Sequence, residues 1–171
     1  MANSRTTRAP SRARTAPKKP EGSGRRQQTV TVGKLQGMSQ RQLDNLFRRS
    51  RAGDIPAGVA DGIVIVARGR PVSRLATWVG GLGWRGKVFN PAGHDLLNRI
   101  SPFGLPAVRA KVSRGTSLLD NRPTIVLDYS QTSFVAHYIR DEIREVAPGL
   151  YLGIVYWAQR KTINFVLDFR R

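Results

Sequence analysis

The chain has 171 residues, room for one domain with a tail, and 40% of them are hydrophobic, enough for a core of that size. Lys and Arg total 29 against 11 Asp and Glu, a formal net charge of +18, which implies an anionic partner such as nucleic acid or an anionic membrane face. The absence of cysteine excludes disulfides, thiolate zinc sites, Cys nucleophiles and iron–sulfur clusters.

No apolar run approaches the ~18 residues that span a bilayer, and the N-terminus has positive charge without the apolar stretch of a secretory signal. The expectation is a soluble, cytoplasmic, single-domain protein that its basic residues can hold at an anionic surface.

Residues 1–34 contain no Leu, Ile, Phe, Trp or Tyr and several scattered prolines. Such a segment cannot bury enough apolar surface to offset the entropy of ordering, so it is expected to be a disordered basic tail. Its composition is that of a transit peptide, but it lacks the apolar stripe of one. Arg5, Arg8, Arg12, Arg14, Lys18, Lys19, Arg25, Arg26 and Lys34 oppose only Glu21, a net of +8, which leaves +10 of the +18 on residues 35–171. Positive charge on both parts favours attraction to polyanions. No aromatic interleaves with the tail arginines, so they build no stacking platform for single strands.

From residue 35 the chain reads as one domain. Ser39 is an N-cap, Leu43, Leu46 and Phe47 follow at helical spacing, and Arg48, Arg49 and Arg51 suit the negative end of a helix dipole. This predicts a short helix over about 39–51 that packs an apolar face on a sheet. Beyond Asp54 the texture is β. Strands are predicted at Ile63–Val66, Trp84–Phe89, Asp95–Ile100, Ala107–Val112 and Thr124–Asp128, between turn residues. In Ala107–Val112, Val108, Ala110 and Val112 share one face, while Arg109 and Lys111 make the other basic.

Ile139–Val146 is ambiguous. Its apolar spacing suits a helix, but the i,i+4 pairs Arg140/Arg144 and Asp141/Glu145 carry like charges, which disfavours one. A strand is the reading adopted, running into a Pro148–Gly149 turn. Leu150–Trp157 and Ile163–Phe169 form a last hairpin. The first of these is apolar on both faces, so it is expected to be central or to face an enclosed cavity. The fold expected is mostly β: a small antiparallel, roughly eight-stranded barrel or strongly curved sheet with one short N-terminal helix.

His94 and His137, the only histidines, lack metal-ligand spacing, and no GxSxG, HExxH, P-loop or Rossmann fingerprint is present. Nothing specifies a cofactor or metal. Asp128, Asp141, Glu142 and Glu145 are the acid–base candidates, with ion pairing to the many arginines as the favoured role. The segment Leu75–Trp84 is apolar and glycine-rich and carries Trp78 and Trp84; it suits a pocket lining, a lid or a membrane interface, and equally an ordinary core.

Gly81-Leu82-Gly83-Trp84-Arg85-Gly86-Lys87-Val88-Phe89 resembles the small bacterial GxWxG-type families with lipocalin-like barrels, with Leu82 at the place of the first motif glycine. Ile139–Val146 followed by Pro148-Gly149-Leu150-Tyr151-Leu152-Gly153 is similar to a late hairpin of such barrels. The resemblance covers about residues 60–170. It implies a calycin-type barrel that binds an apolar small molecule.

The leading functional expectation is a non-enzymatic protein that takes an apolar or lipid-like molecule in a barrel cavity. Its candidate contacts are Trp78, Trp84, Lys87, Asp128, Tyr151, Val155 and Trp157. The alternative is nucleic-acid or other polyanion binding through the tail residues Arg5 to Arg26 and the strand face at Arg109 and Lys111. An enzyme using cavity carboxylates has the least support, since no nucleophile–base pair is visible.

Overall fold

The computed structural model describes residues 29–67, 83–92, 94–100, 108–132 and 136–170. Eight apolar or alternating segments become strands: β1 (Gly58–Ile65), β2 (Trp84–Asn90), β3 (Asp95–Ile100), β4 (Arg109–Thr116), β5 (Pro123–Asp128), β6 (Ile139–Ala147), β7 (Leu150–Trp157) and β8 (Arg160–Asp168). Each pairs antiparallel with the next and β8 closes on β1, so these strands form a barrel with no free edge. The ambiguous 139–146 stretch is a strand. Alternation puts Arg140 and Glu142 on the same outer face, where they pair at 3.1 Å, whereas a helix would have stacked like charges.

The strand directions give the barrel two different ends. At the upper end, β1 leads into β2 through residues 66–83, β3 into β4 through 101–108, and β5 into β6 through 129–138. The lower end is plugged by aromatics. The Phe169 ring lies 5.5 Å from Phe89 and 5.6 Å from Tyr151, centroid to centroid. Ala52 and Ile55, on the way from the helices to β1, join the same interior cluster, and the Tyr151 hydroxyl donates to the Asp54 carbonyl at 2.9 Å.

Two helices cover one outer side: α1 (Val32–Gln36) and α2 (Gln40–Arg49). A capping box starts α2: Ser39 N–H donates to Gln42 Oε1 at 2.8 Å, and Gln42 N–H to Ser39 Oγ at 3.4 Å. Leu43, Leu46 and Phe47 of α2 pack with Leu150, Leu152, Ile154 and Val166 on the outer wall of β7 and β8. This explains why β7 is apolar on both faces: its inner face lines the barrel and its outer face lies under a helix. The α1 turn begins within the stretch whose composition suggests disorder. Thr31 caps it, and the fully buried Leu35, the first large aliphatic residue after Met1, anchors it.

The barrel wall elsewhere carries Arg85, Arg109, Lys111 and the Asp61–Arg99 pair outward. Val59 and Leu97 are exposed on the same outer wall. No helix among the described residues is long and apolar enough to cross a membrane.

Candidate functional site

Strict alternation along β2 would put Trp84 and Lys87 on opposite faces. A β-bulge between Trp84 and Gly86 changes the phase, so that both point inward while Arg85 stays exposed. Only glycine fits at the bulge. Gly86 has φ +133°, and a Cβ there would sit 2.0 Å from the Ala60 carbonyl oxygen. The Trp84 indole then lies over Gly62, where a Cβ would come within 2.4 Å of the ring, and meets Phe165 edge-on at 5.8 Å. Phe165 in turn occupies the space above Gly153. Two glycines, on the strands either side of β8, thus make room for two large rings inside the barrel.

Between these rings sits Lys87, 3% exposed, with its ammonium 5.6 Å from the Trp84 centroid, 5.4 Å from Phe165 and 5.1 Å from Tyr129. It donates to Asn98 Oδ1 at 2.8 Å, to Asp141 Oδ2 at 3.1 Å and to the Tyr129 hydroxyl. Asn98 also accepts from Trp84 Nε1 at 3.2 Å, and its amide donates to the Val108 carbonyl at 2.8 Å and to the Tyr129 oxygen at 3.3 Å. The Tyr129 O–H donates to Asp141 Oδ2 at 3.1 Å. Asp141 Oδ1 is buried with no hydrogen-bond partner. All these residues lie in the upper half of the barrel, toward the end from which the long connections leave.

Taking these groups out of water is expensive. Burial pushes the Lys87 ammonium below its ordinary range and the Asp141 carboxyl above its own, and the attraction between the two opposes both shifts. Burial, then the Asp141 charge, raises the Tyr129 hydroxyl well above the usual phenol range, so it stays protonated and donates. A lysine–carboxylate pair, a neutral phenol and an amide therefore share a compartment walled by aromatic rings.

Of the residues singled out in the sequence, Trp84, Lys87 and the acid–base candidate Asp141 meet in this cluster. Val155 is partly buried against the same interior core. Tyr151 faces inward too, but at the plugged lower end. Asp128 is exposed on the outside of β5, and with His137, Tyr138 and Arg140 it lines a surface cleft of about 210 Å³. Trp157 sits at the upper rim, its ring 6.2 Å from Tyr138. Trp78 and the tail residues Arg5 to Arg26 lie outside the described residues. Arg109 and Lys111 are exposed on β4, Arg109 pairing with Asp95 at 3.4 Å. Asn98, Tyr129 and Phe165 complete the cluster without having been singled out. The available signal was weak: an Asn and a Tyr at inward positions of otherwise aliphatic alternations.

Glu142 and Arg144, by contrast, are buried on the outside of the wall. Arg144 forms a two-point pair with Asp120 at 2.7 Å, donates to the Phe47 and Pro123 carbonyls, and lies 4.5 Å from the Phe47 ring centroid. Glu142 accepts from the Leu118 amide at 2.9 Å. Both fasten the 117–122 turn to the barrel.

No family model matches this chain, and no curated protein does. It is similar to a solved structure described as the crystal structure of a protein from Thermomonospora curvata, with a TM-score of 0.56 and 19% identity over 79% of this chain and 90% of that one. At that identity the likeness is one of fold alone.

Proposed function

We propose that the protein is a non-enzymatic, lipocalin-like barrel that binds a small, largely apolar molecule in its upper half. The molecule's apolar body would lie against Trp84 and Phe165 and its polar group against the Lys87–Tyr129–Asp141 cluster. The observation that carries this reading is the buried Lys87–Asp141 pair inside an aromatic enclosure. Apolar residues would fill a barrel core at no cost in stability, so an ion pair there argues for recognition. The GxWxG-type resemblance at Gly83–Gly86 supports the same reading, since that segment supplies both Trp84 and the bulge that turns Lys87 inward.

The test is a native mass spectrum of protein purified gently from its own host, with a fluorescence titration using N-phenyl-1-naphthylamine, an uncharged apolar fluorophore. A retained small molecule, or saturable probe binding that Lys87→Met weakens at least tenfold, is the expected result. No retained mass together with no saturable binding would overturn the proposal.

A second reading, polyanion binding, is favoured by one feature of the surface. Arg41, Arg48 and Arg49 on α2, with Arg51 and Arg122 beside it, are all exposed, and Arg122 donates to the Arg48 carbonyl. This reading expects retention on heparin that falls steeply with salt. Salt-insensitive retention, or none, counts against it.

A further inference from the structure

The polar group that the cluster accepts follows from which of its hydrogen bonds are already made. Lys87 has three N–H donors, and Asn98, Tyr129 and Asp141 take all of them. Both amide protons of Asn98 are used, by Val108 and Tyr129. The Trp84 N–H is used by Asn98, and the Tyr129 O–H by Asp141. The cluster therefore has no donor to spare, although it contains an ammonium. Its unfilled capacity is an acceptor, Asp141 Oδ1, on a residue only 4% exposed.

Resting on the binding reading above, we infer that the ligand carries a neutral hydroxyl, as an apolar alcohol or phenol does, and donates it to Asp141 Oδ1. A carboxylate or ketone oxygen would find no proton here, and a carboxylate would also face the Asp141 charge at close range. A cationic amine would meet the Lys87 ammonium on the same carboxylate. A hydroxyl satisfies the orphaned oxygen and adds no charge to a site whose ion pair is already balanced.

The inference is tested by displacing bound N-phenyl-1-naphthylamine with 1-decanol and with decanoate at neutral pH. The measured quantity is the ratio of their midpoints. Decanol is expected to displace the probe at a concentration at least tenfold lower. Any apolar cavity disfavours an ionised carboxylate to some degree, so two variants separate the causes. Tyr129→Phe removes an acceptor from Lys87 and frees one N–H, and the ratio should then move toward decanoate by about tenfold. Asp141→Asn puts an amide donor in place of the carboxylate charge, and the ratio should move in the same direction. Thermal melts establish that each variant is folded, and Tyr129→Phe decides alone if Asp141→Asn is not.

Decanoate matching or exceeding decanol on the wild-type protein overturns the hydroxyl assignment while leaving the binding reading in place. A ratio unchanged in folded Tyr129→Phe does the same. Failure of the probe and of both ligands to bind overturns the binding reading, and this inference with it.

Discussion

Lys87 is the residue on which stability and the proposed ligand binding make opposite demands. Its ammonium has given up water for three protein acceptors, and Asp141 offsets only part of that cost. Lys87→Met should therefore be costly, about 3–5 kcal/mol, because it strands the Asp141 charge inside the barrel. Adding Asp141→Leu should recover most of the loss, since the double variant leaves an apolar interior. Urea unfolding of the two single variants and the double measures this coupling. A double variant as damaged as the sum of the singles would show no coupling between the two residues and would remove the stranded charge from the account.

The sequence made half of this cluster visible. Asp141 stood out as an acid–base candidate and Trp84 and Lys87 beside glycines, but the bulge at Gly86 that puts the last two on one face depends on its close approach to Ala60 in β1. Asn98 is the register partner of Lys87 on β3, but Tyr129, just past β5, and Phe165, on β8, are brought to Lys87 only by barrel closure.

At the scale of elements, the strands were legible wherever turn residues bounded an alternation, and β6 was legible from its charges. The pairing of like signs four apart argued against a helix, and the strand puts Arg140 beside Glu142. Less legible was why Arg144 belongs in the sequence at all. It is fully buried and ties three elements together: β6 itself, the 117–122 turn through Asp120, and the C-terminal end of α2 through the Phe47 carbonyl. Asp120→Asn should cost about 3 kcal/mol, because it leaves a buried guanidinium without its counter-charge.

The same pair gives a pH dependence of known sign. Hydrogen bonds from Arg144 hold the Asp120 carboxyl below its ordinary range, so in acid the unfolded chain takes up this proton before the folded one does. The stabilisation is complete above the unfolded value, about 3.9, and is lost as pH falls through the lower folded value. Thermal melts from pH 6 down to pH 2 should show the gap between wild type and Asp120→Asn closing below about pH 4. A gap that stays constant would remove the ion pair from the account.

For the whole molecule, the barrel has one plugged end, one end bearing the long connections, and one side roofed by helices. The roof is what a reading confined to strands misses. A strand apolar on both faces suggests a cavity on one side, but for β7 the second apolar face belongs to α2. The helix is therefore part of the core, and Phe47 is its keystone: it is fully buried among Leu150, Leu152 and Ile154, with Arg144 against its ring. Phe47→Ala should cost about 3–5 kcal/mol through lost burial and the cavity left behind. At roughly 2–4 °C per kcal/mol for a chain of this length, the melting temperature should fall by about 10 °C. Loosening α2 also bares an apolar strip on the outer wall, so the variant should bind an apolar dye and aggregate on heating while wild type does not. Arg49→Ala, on the exposed face of the same helix, supplies the control and should stay within about 0.5 kcal/mol of wild type. If Phe47→Ala melts within a degree or two of that control, the helix is an appendage, and the barrel stands without its roof.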